Sequence, residues 1–260
     1  MTQQGITGGT MTNSSILYSE DKGIALVTLN RPEKVNAMNR EMIDGLDGIL
    51  DALERSGTAR VVILTGAGEK GFCSGLDMKE TAASMMGQPL DVIYRLQLRT
   101  SRLLYKMRTI PQPVIAAVHG AASGAGFSFT MASDIRIITP AARFNAAYIN
   151  IGLGGADLAS SYFLPRLIGS GRANEFLLTG DFMSADDAMN LGFASRVVPR
   201  DELMDAAFGI AGTMLSKNPL GLYLTKEAIN QNLGLPSLEQ ALHLENRNQC
   251  FLIAQMMMNR

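Results

Sequence analysis

"PVIAAVHGAASGAGFSFTMASDIRI", residues 113–137, decides how this chain folds. It holds an apolar strand, a run of Gly, Ala and Ser, a short apolar helix over 124–133, and the start of a second strand, "DIRIIT" (134–139). Strands that are apolar without alternation are buried on both faces, which belongs to a parallel sheet covered on each side. The small residues answer a different need. A turn made of Gly and Ala lets another group come close to the main chain, because no large side chain stands in the way. The run carries no acid or base, so it can bind or polarise that group but cannot exchange a proton with it.

Outward from this stretch the pattern repeats. "RVVILTG" (60–66) is a further continuous apolar strand, and "SILYSE" (15–20) and "GIALVTLN" (23–30) form a hairpin around the turn "DKG". "RPEKVNAMN" (31–39) is a loop whose last residue, Asn39, caps a helix with Met42, Ile43, Leu46, Ile49, Leu50 and Leu53 at helical spacing. Ala194–Val198 is a late strand. After residue 200 helices take over: Asp201–Ser216, Pro219–Asn232, and a third behind Pro236, where Ser237 and Gln240 form a capping box. The expected fold class is α/β with a helical C-terminal region. The expected organisation is a flexible polar N-terminal tail (1–13), an α/β core (14–200) and a helical segment (201–260).

Composition removes several function classes. The 260 residues are 47% hydrophobic and 18% charged, with a net charge of -1, which describes a globular chain without the basic surface a nucleic acid requires. The apolar runs are too short to span a bilayer, so no membrane is expected. The first residues have neither a basic start nor an apolar centre and read as a polar tail, not a secretory leader. Two cysteines, Cys73 and Cys250, without a CxxC or His cluster, predict no disulfide and no metal site, and fit a reducing cytoplasm.

Three familiar chemistries are absent or weak. "GAGEKG" (66–71) matches a dinucleotide fingerprint, yet "FCSG" follows it in place of a helix and no acid closes a second strand, so a tight turn is the better reading. Gly71 is followed by Phe72, which rules out a phosphate loop of the G-K-[ST] type. A serine hydrolase would need His119 or His243 as base beside a serine in G-x-S-x-G, which does not occur. His119 reads as a satisfied polar residue at a strand end and His243 as a helix-face contact.

A different arrangement remains. "GFCSGLDM" (71–78) and "HGAASGAGF" (119–127) each follow a buried strand and turn toward a helix. Two such turns side by side can aim two main-chain N–H groups at one oxygen, the geometry of an oxyanion hole, for which a thioester carbonyl is the candidate.

At this point the chain resembles a known family. "VTLNRPEKVNAMN" (27–39), "GFCSGLDM", "PVIAAVHGAASGAGFSFTMASDIRI" and "SADDAMNLGFASRVV" (184–198), in this order and spacing, are similar to the signatures of the crotonase superfamily, the enoyl-CoA hydratase/isomerase family, from about residue 15 to 250. The resemblance implies a crotonase (ClpP/crotonase-like) spiral of ββα units, acyl-CoA thioester substrates, coenzyme A carried only as part of the substrate with no separate cofactor, and a C-terminal region that assembles homotrimers or dimers of trimers. It implies that Leu76 and Ala125 donate the two oxyanion N–H groups. Lys34 and Ala37 would lie along the CoA moiety, with Ser74, Gly75, Asp77 and Gly124 lining the same groove. The chain ends in "MMMNR", earlier than many relatives, so cover of the CoA site is expected from a neighbouring subunit or not at all.

The resemblance also marks a departure. Hydratases of the family hold water between two glutamates, and the corresponding positions here are Ser128 and Tyr148. Neither is a carboxylate, and a tyrosine, with an ordinary pKa near 10, is neutral. Ordinary hydration is therefore not expected. Asp157, in "IGLGGADLASSYFLPRLIG" (151–169), falls on a segment where dienoyl-CoA isomerases and the chlorobenzoyl-CoA dehalogenase of the family carry a working aspartate, although the spacing from Gly152 is one residue longer. Asp157 is thus the candidate acid or base, with Ser128 and Tyr148 orienting water or substrate; the plain alternative is that Asp157 caps the next helix. The expected activity is isomerisation or hydration of an unsaturated acyl-CoA, with a non-catalytic acyl-CoA-binding protein as the alternative.

Overall fold

The computed structural model describes residues 11–55, 57–234 and 237–258. Its strands, in chain order, are β1 (Met11–Asn13), β2 (Ile16–Asp21), β3 (Ile24–Leu29), β4 (Val61–Gly66), β5 (Gly71–Cys73), β6 (Val114–Val118), β7 (Ala121–Ser123), β8 (Ile135–Ile138), β9 (Arg143–Asn145), β10 (Met183–Ser184) and β11 (Arg196–Val197). The α-helices are α1 (Arg40–Arg55), α2 (Met78–Met85), α3 (Leu90–Thr109), α4 (Ala125–Ala132), α5 (Ser160–Ile168), α6 (Ser170–Thr179), α7 (Ala185–Asn190), α8 (Leu203–Leu215), α9 (Pro219–Asn232) and α10 (Leu238–Met258).

A seven-stranded sheet runs in the order β1-β2-β3-β4-β6-β8-β11, antiparallel over its first three strands and parallel from β3 onward. The unbroken apolar runs have the predicted consequence. All residues of β4 and of β6 are buried, and successive residues serve opposite faces of the sheet. Val62, Leu64, Val114, Ala116 and Val118 join the main core with α1, α3 and α4. Val61, Ile63, Ile115, Ala117 and Ile137 join a second core with Leu203, Ala207 and Ala211 of α8.

A small second sheet, β10-β9-β7-β5, continues from the ends of the large one. β5 and β7 are parallel neighbours, as are β7 and β9. Each is a direct extension of the loop after β4, β6 or β8, which is how the chain spirals. The turns after β5 and β7 therefore emerge side by side.

Three sequence expectations change. Residues 11–13, read as tail, form β1 and pair with β2, while 1–10 lie outside the described residues. The core runs past residue 200, because α8 covers one face of β4, β6 and β8. Helix α3, with Thr100, Leu103, Leu104 and Met107 buried, was not foreseen. The cap at Asn39 is as expected, its Oδ1 accepting the Met42 N–H at 2.9 Å. Pro236 lies outside the described residues, and α10 starts after Ser237. Among the described residues no helix is long and apolar enough to cross a membrane, and no three His, Cys, Asp or Glu side chains cluster as metal ligands.

Candidate active site

The two glycine turns meet. Gly75, at φ +100°, follows β5, and Gly124, at φ +51°, follows β7. A Cβ on Gly75 would lie 3.1 Å from the Ser123 carbonyl oxygen and 3.6 Å from the Ala125 nitrogen. Both positive φ and close approach thus require glycine there. At Gly126 the demand is stricter, since a Cβ would come within 2.3 Å of the Cys73 carbonyl oxygen.

Leu76 sits in an isolated parallel bridge with Met38. The bridge uses Met38 N–H to Gly75 O (2.8 Å) and Asp77 N–H to Met38 O (2.9 Å), and leaves the Leu76 N–H out. Ala125 opens α4, where a first-turn N–H has no acceptor within its own helix. Among the described residues neither N–H is given to a backbone acceptor. Two donors on touching turns, one at a helix N-terminus, are suited to hold a carbonyl oxygen as charge builds on it.

The loop before α1 is locked against these turns. Val35 and Asn36 are both left-handed, at φ +51° and +53°. The buried Asn36 amide donates to the carbonyls of Ala67, Gly71 and Phe72 at 2.9–3.1 Å, and its Oδ1 accepts the Arg31 N–H at 2.9 Å. Ser74 N–H reaches Val35 O, and the Ser74 hydroxyl reaches the carbonyl of the exposed Lys34 at 3.2 Å. Arg31 joins the carbonyl of the buried Ala37 (2.6 Å) to the Asp77 carboxylate (3.0 Å). Asp77 also caps α2 through the Glu80 N–H. Partial burial pushes its carboxyl up, but the hydrogen bonds from Arg31 and Glu80 outweigh that and hold it below the usual range. Lys34, Ala37, Ser74, Gly75, Asp77, Gly124 and Leu76 thus stand in one continuous loop cluster, with Asp77 acting as a brace.

Behind Gly124, one turn into α4, lies the fully buried Ser128. Its Oγ is 3.5 Å from Tyr148 Oη, and Tyr148 Oη donates to the Asp157 carbonyl at 3.3 Å. A Cβ at Gly124 would be 3.6 Å from Tyr148 Cδ1, so this ring borders the glycine turn. Burial pushes the Tyr148 hydroxyl above its ordinary pKa, against the pull of the Ser128 and Ser160 hydroxyls. The pair is therefore uncharged, able to donate or accept a hydrogen bond but not to take a proton at neutral pH.

Asp157 is the carboxylate at this place. Its Oδ1 accepts the Leu158 N–H at 2.7 Å and the Gln97 side-chain amide at 2.5 Å. Burial raises its pKa, opposed by these two donors. Among the described residues no hydrogen bond is made to Oδ2. The helix-cap alternative does not hold: α5 has Ala159 at its N-cap without any side-chain bond, and Asp157 grips the next residue's N–H instead. Leu158 and Ala159 are consecutive left-handed residues, at φ +45° and +60°. Strain of this kind persists only where the surroundings impose it, and it gathers at working sites.

Gln97, which sequence reasoning missed, comes from the unforeseen α3. It also lines a cleft beside Leu76 together with Met38, Ile43, Leu96 and Thr100. The one available signal was Leu96, Thr100, Leu103 and Met107 at helical spacing.

Elsewhere, "GAGEKG" leads into strand β5, consistent with a tight turn and not with a dinucleotide site. His243 is exposed beside Glu239. His119 is buried and, contrary to the sequence reading, unsatisfied: neither ring nitrogen has a hydrogen-bond partner among the described residues.

The family model for enoyl-CoA hydratase/isomerase matches residues 19–259. The chain belongs to the enoyl-CoA hydratase/isomerase family. The protein named "Probable enoyl-CoA hydratase echA12" from Mycobacterium bovis is 39% identical over 96% of this chain and 88% of its own length. The 1,2-epoxyphenylacetyl-CoA isomerase of Escherichia coli is 36% identical over 90% of this chain and 88% of its own. The crystal structure of enoyl-CoA hydratase from Bacillus anthracis superposes with a TM-score of 0.86 at 32% identity, over 92% of this chain and 91% of that one. With the enoyl-CoA hydratase/isomerase family come its crotonase ββα spiral and its general character as a family of enzymes acting on acyl-CoA thioesters. Hydratases and isomerases both stand among the relatives, so the choice between them falls to the site.

Proposed function

We propose that this protein isomerises an unsaturated acyl-CoA by moving a proton along the acyl chain, with Asp157 as the acid–base group. The Leu76 and Ala125 N–H groups hold the thioester oxygen. Asp157 takes a proton from a carbon conjugated with the thioester, and the electron pair of that C–H bond moves onto the thioester as an enolate. The same carboxyl then returns the proton to another carbon of the chain, which shifts the double bond and leaves the atom count unchanged. Lys34, Ala37, Ser74 and Gly75 border the CoA moiety, and Ser128 and Tyr148 orient the acyl group.

The observation that carries this reading is the environment of Asp157. Its burial raises its proton affinity, Gln97 and Leu158 fix one oxygen, and the other oxygen makes no hydrogen bond to the described residues. A general base works best when its pKa approaches the operating pH. Hydration is disfavoured because Ser128 and Tyr148 supply no carboxylate at the two water-holding positions. Exposed apolar side chains on α10, among them Phe251, Ile253 and Met256, support assembly into trimers or pairs of trimers, and the composition supports a cytoplasmic setting.

The test is incubation with 2-enoyl-, 3-enoyl- and dienoyl-CoA thioesters in D2O, read by NMR. Isomerisation places deuterium on the acyl carbons and moves the double bond without adding a hydroxyl. A 3-hydroxyacyl product would show hydration instead. Tight binding without deuterium uptake would favour the acyl-CoA-binding alternative that the missing glutamates suggest.

A further inference from the structure

The carboxyl ends of β4, β6, β8 and β11 converge on a second cleft, lined by Glu69, Lys70, His119, Thr139, Arg143 and Arg200. It stands at the start of β5 and β7, whereas the oxyanion turns stand at their far ends. Gly71 and Gly75 are separated by four residues of near-extended chain, roughly 13 Å. In parallel sheets, the crevice beyond the carboxyl ends of the strands is where ligands bind.

Two buried polar side chains line this cleft. His119 and Thr139 are each 2% exposed. Neither His119 ring nitrogen, nor the Thr139 hydroxyl, has a hydrogen-bond partner among the described residues. The Gly68 carbonyl faces the imidazole without meeting hydrogen-bond geometry. Three unpaired buried polar atoms in one place are costly, and a native fold retains them where something polar completes them. The charges around them select what that is. Lys70, Arg143 and Arg200 face a single acid, Glu69. Arg200 is held loosely, 3.8 Å from Glu69 and 3.4 Å from the Gly68 carbonyl. Arg143 lies over the Phe182 ring at 4.7 Å, which fixes its plane while leaving its edges to hydrogen-bond.

We infer that this cleft is a second binding site, specific for a phosphate group. A phosphate oxygen accepts from guanidinium, from the Thr139 hydroxyl and from one imidazole N–H of His119, whose other nitrogen points away from the same phosphate. Arginine forks match this geometry. The group comes either from a free phosphate-bearing small molecule or from the phosphate end of a bound CoA.

Titration with inorganic phosphate at constant ionic strength, followed by calorimetry and by the imidazole 15N shifts of His119, tests the site in the intact protein. The expected result is saturable one-to-one binding that moves the His119 signals. Arg200→Gln and Thr139→Val, two changes that leave no new charge or cavity in the core, each weaken it by about tenfold. Repeating the titration with CoA present separates the sources. Phosphate displaced by CoA assigns the site to the phosphate end of CoA, and undisturbed phosphate assigns it to a free ligand. No saturable binding, or binding that both variants leave unchanged, overturns the inference.

Discussion

The side-chain amide of Gln97 donates to Oδ1 of Asp157 at 2.5 Å, joining the middle of α3 to the strained loop before α5 across 60 residues of sequence. Oδ1 is thereby occupied twice, by Gln97 and by the Leu158 N–H. The proton-transferring atom of the proposed mechanism is accordingly Oδ2.

Removing that donor changes the acid–base behaviour in a defined direction. The Gln97 amide favours the charged form of Asp157, so Gln97→Leu raises the carboxyl's proton affinity further. The acidic limb of the kcat/KM profile moves to higher pH. On that limb, activity falls by about tenfold, the scale of a hydrogen bond to a charged group. Gln97→Glu, which places a second carboxyl there, shifts the limb in the same direction. A profile unchanged in position would show that Gln97 only packs.

Asp157 also couples stability to pH. Its folded-state pKa is raised, so the folded protein binds this proton more tightly than the unfolded chain does. Stability from this group is complete below the unfolded carboxyl pKa and declines as pH rises to the folded value. Asp157→Asn keeps a side-chain oxygen for Gln97 and Leu158 but carries no charge. It is expected to raise Tm at neutral pH by about 2–4 °C, with the gain vanishing in acid. Calorimetry across pH checks both parts.

The small residues between the two turns are not interchangeable. Gly126→Ala drives a methyl to 2.3 Å from the Cys73 carbonyl, a main-chain atom in the strand beside it. A loss of about 3 kcal/mol or more in urea unfolding is expected. Ala125→Gly, which removes a methyl and keeps the N–H, costs at most about 1 kcal/mol.

These contrasts show what the sequence could and could not reveal. β4 and β6 were legible because strands buried on both faces are apolar throughout, and β8 was legible from Ile135, Ile137 and Ile138 although it carries the buried Arg136. The meeting of the Gly75 and Gly124 turns was legible because neighbouring strands deliver them, although β5, β7, β9 and β10 are too short, at two or three residues, to carry a pattern. Gln97 was hidden. The first half of α3 is exposed or half-buried, and its apolar stripe becomes regular only from Leu96 to Met107. The unpaired state of His119 was hidden for another reason: hydrogen-bond satisfaction depends on atoms from four separate strand ends.

The last helices are tied to the core by a buried ion pair. Lys226 on α9 is 6% exposed, and its ammonium donates to the Met107 and Gln112 carbonyls at 2.9 and 2.8 Å and pairs with Asp134 at 3.0 Å. Arg108 holds the same aspartate at 3.0 Å. Lys226→Met removes the ammonium's hydrogen bonds to the Met107 and Gln112 carbonyls and one of Asp134's two counter-charges. A loss of about 3 kcal/mol is expected, measured by urea unfolding.

The most direct test compares wild type with Asp157→Asn on the acyl-CoA thioester that wild type converts, measuring Kd and the deuterium uptake rate side by side. The account predicts unchanged binding, because the CoA contacts and both oxyanion donors remain, and a rate lowered by about 10³-fold or more, because the acid–base group is gone. A variant that binds the thioester and exchanges its protons at close to the wild-type rate would contradict it.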